Sequence, residues 1–286
     1  MLVTGATGRL GRVVCALLND RTVAHRALVR AGSDRSGLGR RTWMIDGDLT
    51  DARSLVGPLD GVEVVLHLAG LVRTSDAAAL RAVHVEGTRA LLRPGLKRIV
   101  AVSSDTVLRT RHSAYAASKA AMEDLLRASD IPAVVLRPPM ILGPGSPHLA
   151  SLEAMARRPV ALVPPGAAPR APVHVEDVAR AVLAAMDLPD DAISDGFLAV
   201  DLPGAEAVSF ATLLTTLADV RGWRRPRVVE PPAGVVRRGL RVARRLGAAG
   251  LAERVAGMQE AVEVDPGPAR ELVGWTPRSL RDVLAG

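Results

Sequence analysis

Hydrophobic residues in the first half of the chain fall in short runs that alternate with amphipathic stretches. The runs predict strands at Met1 to Val3, Ala27 to Arg30, Thr42 to Ile45, Val62 to Leu68, Arg98 to Val102 and Ala133 to Leu136. The run at Val62 is almost unbroken, as is typical of a parallel strand covered on both faces. Helical spacing between the runs predicts helices at Gly11 to Leu18, Ala77 to Leu92 and Ala114 to Ala128. This alternation indicates an α/β fold with a doubly wound parallel sheet.

The pattern changes after Pro138, where proline and glycine become frequent. One clear helix follows at Val175 to Met186, and shorter elements come after it. We therefore expect a sheet domain over residues 1–145, completed by a return helix at about 172–187. Residues 146–171 and 188–286 are expected to form a smaller C-terminal domain that binds substrate.

Composition narrows the function classes. Of the 286 residues, 48% are apolar and 23% charged, as in a soluble globular protein. The net charge is +7, but the arginines are scattered and aromatics make up only 2%, which argues against nucleic-acid binding. A single cysteine, Cys15, and the absence of a membrane-spanning run predict a cytoplasmic protein with no membrane as a partner. We expect a small-molecule substrate and no metal site.

A glycine-rich loop opens the chain in the stretch MLVTGATGRLGRVV. Gly5, Gly8 and Gly11 stand three residues apart between the first predicted strand and the first predicted helix. Glycines in this setting let the backbone approach a pyrophosphate, whose charge the N-terminus of the helix stabilises. The loop predicts a dinucleotide cofactor.

The second predicted strand ends in Arg30, at the distance where an NAD site would offer an acid to the ribose. A guanidinium suits the 2′-phosphate of NADP, so we favour NADP. Asp34, shortly downstream, leaves NAD open. Asp48 and Leu49 follow the third strand, where an adenine edge could be recognised.

The stretch YAASK carries the candidate chemistry. Tyr115 is the only tyrosine, and Lys119 is one of only two lysines. Four residues apart on a helix, their side chains share a face. An ammonium near a phenol favours the phenolate, so we expect Lys119 to lower the pKa of Tyr115 and make it an acid/base. Ser103 and Ser104 end the strand before this helix, at the edge where parallel sheets bind ligands, and could hydrogen-bond a substrate oxygen.

These motifs resemble those of the extended short-chain dehydrogenase/reductase family, also called the NAD-dependent epimerase/dehydratase family. The resemblance runs through TGATGRLG, VSSDTV and YAASK to HLAG (His67 to Gly70), VEGT (Val85 to Thr88), RPPMILGPG (Arg137 to Gly145), PVHVEDVARAV (Pro172 to Val182) and GWTPRSL (Gly274 to Leu280). It implies a Rossmann domain that holds NAD or NADP. It also implies Tyr115 as acid/base, Lys119 as its pKa tuner and ribose ligand, and Ser104 as the substrate-orienting hydroxyl. The expected cofactor-binding residues are Gly5, Thr7, Gly8, Arg9, Leu10, Gly11, Arg30, Asp48, Leu49, Ala69, Gly70, Tyr115, Lys119 and Pro138.

The chain departs from the family pattern at several positions. His84 stands where members usually carry Asn, and a packed or solvated role is expected for it over a catalytic one. Met140 and Leu142 replace the Asn and Tyr of sugar-nucleotide enzymes, which favours a less polar substrate. Thr106 follows Asp105 where sugar 4,6-dehydratases have a Glu, which argues against that dehydration.

The leading interpretation is an NADP-preferring oxidoreductase that moves a hydride at a secondary alcohol or ketone of a sugar-like or less polar biosynthetic intermediate. The alternatives are a sugar-nucleotide epimerase and a cofactor-binding sensor or non-redox scaffold. A homodimer is open, because the Tyr-Lys helix of the family often packs on a partner.

The segment from Val235 to Leu246 places apolar residues at helical spacing and arginines on the remaining arc. A solvated basic face is the first interpretation. Contact with an anionic substrate and binding to a membrane surface are the alternatives.

Overall fold

The computed structural model describes residues 1–72, 74, 76–110, 113–193, 195–245, 255 and 257–286. A sheet of seven parallel strands forms its centre. The strands are β1 (Leu2–Thr4), β2 (His25–Val29), β3 (Thr42–Asp46), β4 (Val64–His67), β5 (Arg98–Val102), β6 (Ala133–Arg137) and β10 (Phe197–Asp201). Their order is β10-β6-β5-β4-β1-β2-β3, so the direction of winding reverses between β1 and β4. Ligands of such sheets bind outside the carboxyl ends of the strands at this reversal.

Helices cover both faces of the sheet. On one face α1 (Arg9–Asp20) packs on α6 (Val175–Met186), and α9 (Gly267–Val273) packs on α6 in turn. On the other face lie α2 (Ala77–Arg81), α3 (Gly87–Leu91) and α4 (Ala114–Arg127). None of the helices in the described ranges is both long and apolar enough to cross a bilayer.

A π-helical turn, Ala82–Glu86, joins α2 to α3 within what the hydrophobic pattern predicted as one uninterrupted helix. At its centre the carbonyl of His84 accepts a hydrogen bond from the Thr88 hydroxyl at 2.6 Å. Turns of this kind are rare and often lie at functional sites. Here the turn faces α4, on which the Tyr-Lys motif lies.

A smaller unit rests on the sheet domain and has its own hydrophobic core. It contains two short parallel pairs, β7 (Ile141–Leu142) with β9 (Val173–His174) and β8 (Val160–Leu162) with β11 (Arg227–Val229). Its helices are α5 (Pro147–Ala156), α7 (Phe210–Val220), α8 (Ala233–Arg245) and α10 (Leu280–Ala285).

One boundary differs from the expected domain division. Residues 188–286 were assigned to the smaller domain, but β10 pairs with β6 along its whole length, from Phe197 opposite Ala133 to Asp201 opposite Arg137. This segment is therefore the edge strand of the main sheet.

Candidate functional site

Three sequence motifs meet at the carboxyl edge of the sheet. The glycine loop follows β1, Ser103 and Ser104 follow β5, and α4 presents Tyr115 and Lys119 beside them. Residues Ala69 and Gly70, which follow β4, close the space between the loop and α4. The edge where the winding reverses thus collects most of the residues that the sequence singled out.

The glycine loop is shaped by close backbone approaches. Gly5 has φ of +67°, and a Cβ there would lie 2.6 Å from the backbone nitrogen of Ala69. A Cβ on Gly11 would lie 2.2 Å from the Gly5 oxygen. Only glycine fits at either position, because both obstacles are backbone atoms. Gly8 is exposed and caps the N-terminus of α1, so unsatisfied N–H groups of that helix point outward there.

Arg9, the first residue of α1, provides a test of whether the loop suits a dinucleotide. Its Nη1 atom is buried, and no hydrogen-bond partner for it lies in the described part of the chain. Burial also lowers the pKa of its guanidinium. A buried cationic donor without an acceptor is costly, and it lies on the helix N-terminus where an anion would be stabilised. The loop therefore fits the pyrophosphate of a dinucleotide.

Arg30 and Asp48 both line an open cavity of about 610 Å³ at the ends of β2 and β3. Hydrogen bonds from the Thr50 N–H and hydroxyl lower the pKa of the Asp48 carboxyl, and the exposed Arg30 guanidinium lowers it further. Within the described ranges no acid forms an ion pair with Arg30. Asp34, in contrast, is paired with Arg12 at 3.0 Å. The Arg30 guanidinium is therefore available to bind an anion in this cavity.

The other expected cofactor residues lie along the same edge, except that Leu49 is buried in the core. Thr7 accepts a hydrogen bond from Arg12 through its carbonyl, and the Pro138 carbonyl accepts one from the Asp105 N–H. Leu10 packs on the core beneath the loop. Leu49 is buried in the core on the sheet face covered by α3 and α4. A Cβ placed on Gly87 would lie 3.0 Å from the Leu49 Cβ. At this turn, Asp48 remains accessible to a ligand.

Ser104 is held as a hydrogen-bond donor. Its Oγ accepts bonds from the Thr106 N–H at 3.2 Å and the Thr106 hydroxyl at 3.1 Å. Both lone pairs are then engaged, so Ser104 can act only as a donor. It donates its proton to Asp105 Oδ1 at 3.2 Å, and the Tyr115 phenol is also within hydrogen-bond reach. The Oγ atom of Ser103, by comparison, is buried and has no partner among the described residues.

Tyr115 does not have the lowered pKa that its neighbouring lysine led us to expect. The pKa of its phenol is raised to about 12, chiefly by burial; the hydrogen bond with Ser104 lowers it and the Asp105 carboxylate raises it. The expectation was wrong in direction, because the sequence does not reveal how far the phenol is removed from water. At neutral pH the phenol keeps its proton.

Lys119 lies beneath the site and is 3% exposed. Its Nζ donates to the Val102 carbonyl at 2.8 Å, and burial lowers the pKa of the ammonium to about 8. An ammonium has three donors, so this bond leaves others available. A Cβ on Gly70 would lie 3.6 Å from Nζ, so the lysine side chain extends to the turn that follows β4.

His84 is a site residue whose role the sequence did not establish. Its buried ring lies edge-on to Tyr115, with centroids 5.7 Å apart, and its Nε2 accepts the Leu71 N–H at 3.0 Å. Its Nδ1 therefore carries the proton and donates to the Ser118 hydroxyl at 2.8 Å. Burial, with the Lys119 charge, lowers the pKa of His84 to about 3, so the ring is neutral. The packed interpretation fits this geometry. The departure from Asn was the only sequence signal.

Two arginines border the site on the side of the smaller unit. Arg109 donates to the Gly257 carbonyl at 2.9 Å, and Arg170 donates to the carbonyls of Gly257 and Glu260. Arg109 also lies 3.9 Å from Asp105. The segment containing Gly257 and Glu260 is thereby fastened across the loop that follows Ser104. No spacing in the sequence connects these partners, because they lie 87 to 148 positions apart along the chain.

A parallel sheet with a glycine loop at the reversal of its winding is the arrangement of Rossmann dinucleotide-binding proteins. A profile of the NAD dependent epimerase/dehydratase family matches residues 1–198. The chain belongs to this family.

Similar proteins include a ceramide reductase of Caulobacter vibrioides, 36% identical over 187 residues, which are 64% of this chain and 59% of that protein. Sterol demethylase protein B of Methylococcus capsulatus is 42% identical over 110 residues, 36% of this chain and 34% of that protein. The matched regions span less than two thirds of these relatives. The crystal structure of gox2253 superimposes with a TM-score of 0.81 at 26% identity, covering 99% of this chain and 95% of that one.

Proposed function

We propose that the chain is an NADP-preferring reductase that acts on a ketone of an apolar, lipid-like molecule and yields a secondary alcohol. The observation that carries the proposal is the cluster at the end of β5: a Ser104 hydroxyl held as a donor, the protonated Tyr115 phenol beside it, and the Lys119 ammonium beneath. These are the groups that carbonyl reduction requires from a protein, namely an orienting donor, a proton source and a cation.

Ser104 and Tyr115 act on the carbonyl oxygen. Because Thr106 fills the acceptor positions of Ser104, the serine proton can turn from Asp105 to the substrate oxygen and polarise the carbonyl. Tyr115 then delivers its proton to the same oxygen as negative charge develops there. The raised pKa of Tyr115 keeps the phenol protonated before each turnover, which favours reduction over the transient oxidation that an epimerase would need.

The cofactor would be held by the residues along the sheet edge. The glycine loop with Arg9 would bind the pyrophosphate, and Lys119 would donate to the nicotinamide ribose. When bound, the reduced nicotinamide of NADPH would supply the hydride. Arg30 is exposed and forms no ion pair with an acid in the described ranges, so it would pair with the 2′-phosphate of NADP, while the pairing of Asp34 with Arg12 weakens the case for NAD.

Two observations bear on the substrate. Met140, where sugar-nucleotide enzymes have Asn, is partly buried and packs on the core of the smaller unit. Leu142 is fully buried and cannot touch a substrate, so its identity does not support the expectation of a less polar substrate. The relatives named for a ceramide and a sterol support a lipid-like substrate instead.

The experiment is an assay of NADPH consumption with three carbonyl compounds: a long-chain aliphatic ketone, a steroid ketone and a keto-sugar nucleotide. We expect consumption with one or both apolar ketones, with the secondary alcohol as product by mass spectrometry. Consumption with the sugar nucleotide alone would refute the substrate class. Binding of NADPH with no consumption across a broad ketone panel would refute the reductase.

A further inference from the structure

Helix α8 (Ala233–Arg245) is a basic amphipathic helix on the surface of the smaller unit. At 100° per residue, Arg237, Arg238, Arg241 and Arg245 fall within about 100° of one another around the axis. All four side chains are exposed, and none forms an ion pair with any acid in the described ranges. The helix contains no Asp or Glu. The predicted end of its apolar pattern, Leu246, lies outside the described residues.

The apolar arc of α8 is only partly used in packing. Val236, Leu240 and Ala243 are half-buried. Val235 and Val242 occupy the other flank of the same arc and are 63% and 51% exposed. They stand seven residues apart, so they line up along the helix.

The exposed valines and the arginines are arranged next to each other. Val235 is three residues before Arg238, and Val242 is three residues before Arg245 and four after Arg238. Residues at these spacings are neighbours on a helix surface. The exposed face of α8 therefore has an apolar strip bordered by cations.

We propose that α8 docks on the surface of an anionic lipid bilayer, with Val235 and Val242 inserted among the headgroups and the bordering arginines on lipid phosphates. Helices that lie in the interface combine these features: an exposed apolar strip and cations that pair with anionic lipids. The inference concerns an interaction surface and does not depend on the proposed reaction.

Two other occupants fit the surface less well. A second copy of the chain docked symmetrically through α8 would bring its arginines against their counterparts, and the helix has no acid to compensate. A nucleic acid would satisfy the arginines, but it would leave the valine strip unpartnered, and α8 has no aromatic side chain to stack on bases.

The test is co-sedimentation of the full chain with vesicles of equal parts phosphatidylglycerol and phosphatidylcholine, compared with phosphatidylcholine alone. We expect binding only to the anionic vesicles, weakened by salt. Each arginine near such a surface contributes about fivefold in affinity, so R238Q/R245Q should bind about 25-fold more weakly. V235S/V242S should also bind more weakly, with its remaining binding abolished by high salt.

The matched control is R40Q/R41Q, which removes two exposed arginines from the loop before β3. It should bind vesicles as the unmodified chain does, and all variants should keep the same thermal midpoint because the changed side chains are exposed. The proposal is overturned if the unmodified chain fails to sediment with anionic vesicles at low salt, or if the control loses as much binding as R238Q/R245Q. It is also overturned if the α8 variants change only self-association or DNA binding.

Discussion

His84 and Ser118 are joined by a hydrogen bond of 2.8 Å from Nδ1 to Oγ, which fastens the π-helical turn to α4. Ser118 passes the connection on, because its hydroxyl donates to the Tyr115 carbonyl at 2.8 Å. On its other side His84 accepts the Leu71 N–H, next to Gly70. One neutral histidine thus connects the turn after β4 with the first turn of the Tyr-Lys helix.

Replacing His84 with Ala should destabilise the fold by about 1–3 kcal/mol, since the part-buried Leu71 N–H and the buried Ser118 hydroxyl lose a partner. Denaturant unfolding measures the loss. H84N is the matched variant, because a carboxamide can accept from one group and donate to the other, and it should recover part of the stability. An H84A protein as stable as the unmodified chain would contradict the bridging role.

Replacing Ser104 with Ala should lower kcat by about 10²–10³, the usual cost of removing one oxyanion donor, while dinucleotide affinity stays unchanged. Steady-state kinetics and a cofactor titration separate the two effects. S103A is the control, because the Ser103 Oγ has no partner in the described structure and its removal breaks no hydrogen bond. Equal loss of rate in both variants would argue against a special role for Ser104.

The buried ammonium of Lys119 should lower the free energy of unfolding at neutral pH. Its pKa is lowered from 10.5 to about 8 by burial, so the unfolded chain binds the proton more tightly between these values. The free energy of unfolding should rise with pH across that window, because folding ceases to bury a charge. K119M should lack this rise, should be more stable at pH 7 by roughly 2–3 kcal/mol, and should lose turnover.

The control for Lys119 is K97M, which changes the only other lysine, an exposed residue paired with Glu63 at 2.7 Å. Thermal and chemical unfolding at pH 7 and at pH 10 provide the comparison. K97M should keep turnover. A K119M protein that is less stable at both pH values would show that the ammonium stabilises the fold.

Changing Arg30 to Asp should weaken NADP binding about 10- to 100-fold, the value of one charge-assisted hydrogen-bonded pair, and leave NAD binding nearly unchanged. Isothermal titration with both dinucleotides measures the ratio. R40D, an exposed arginine outside the cavity, serves as the control for net charge. If R30D and R40D weaken NADP equally, Arg30 acts only through the general field of the protein.

Much of the fold follows from hydrophobic patterning. The predicted strand at Arg98 to Val102 and the helix at Val175 to Met186 have the bounds that the structure shows. The edge strand β10 is missing from that prediction, although FLAVD begins with four apolar residues. Local sequence carries no signal for pairing with a strand some 60 residues earlier.

The candidate site, too, could be predicted only in part. The glycine loop, Ser104 and the Tyr-Lys pair are local motifs at strand ends, and parallel topology brings such ends together. The partners of His84 and of Arg109 and the raised pKa of Tyr115 depend on contacts distant in sequence and on burial. Neither a contact with a distant residue nor the burial of one side chain can be read from the neighbouring sequence.

The most direct test of the account is a single-turnover reduction with Tyr115→Phe, together with a titration of NADPH binding. We predict that Y115F binds NADPH with the affinity of the unmodified chain and forms no detectable alcohol from a ketone that the unmodified chain reduces. Alcohol formed by Y115F at the unmodified rate would contradict the assignment of Tyr115 as the proton donor.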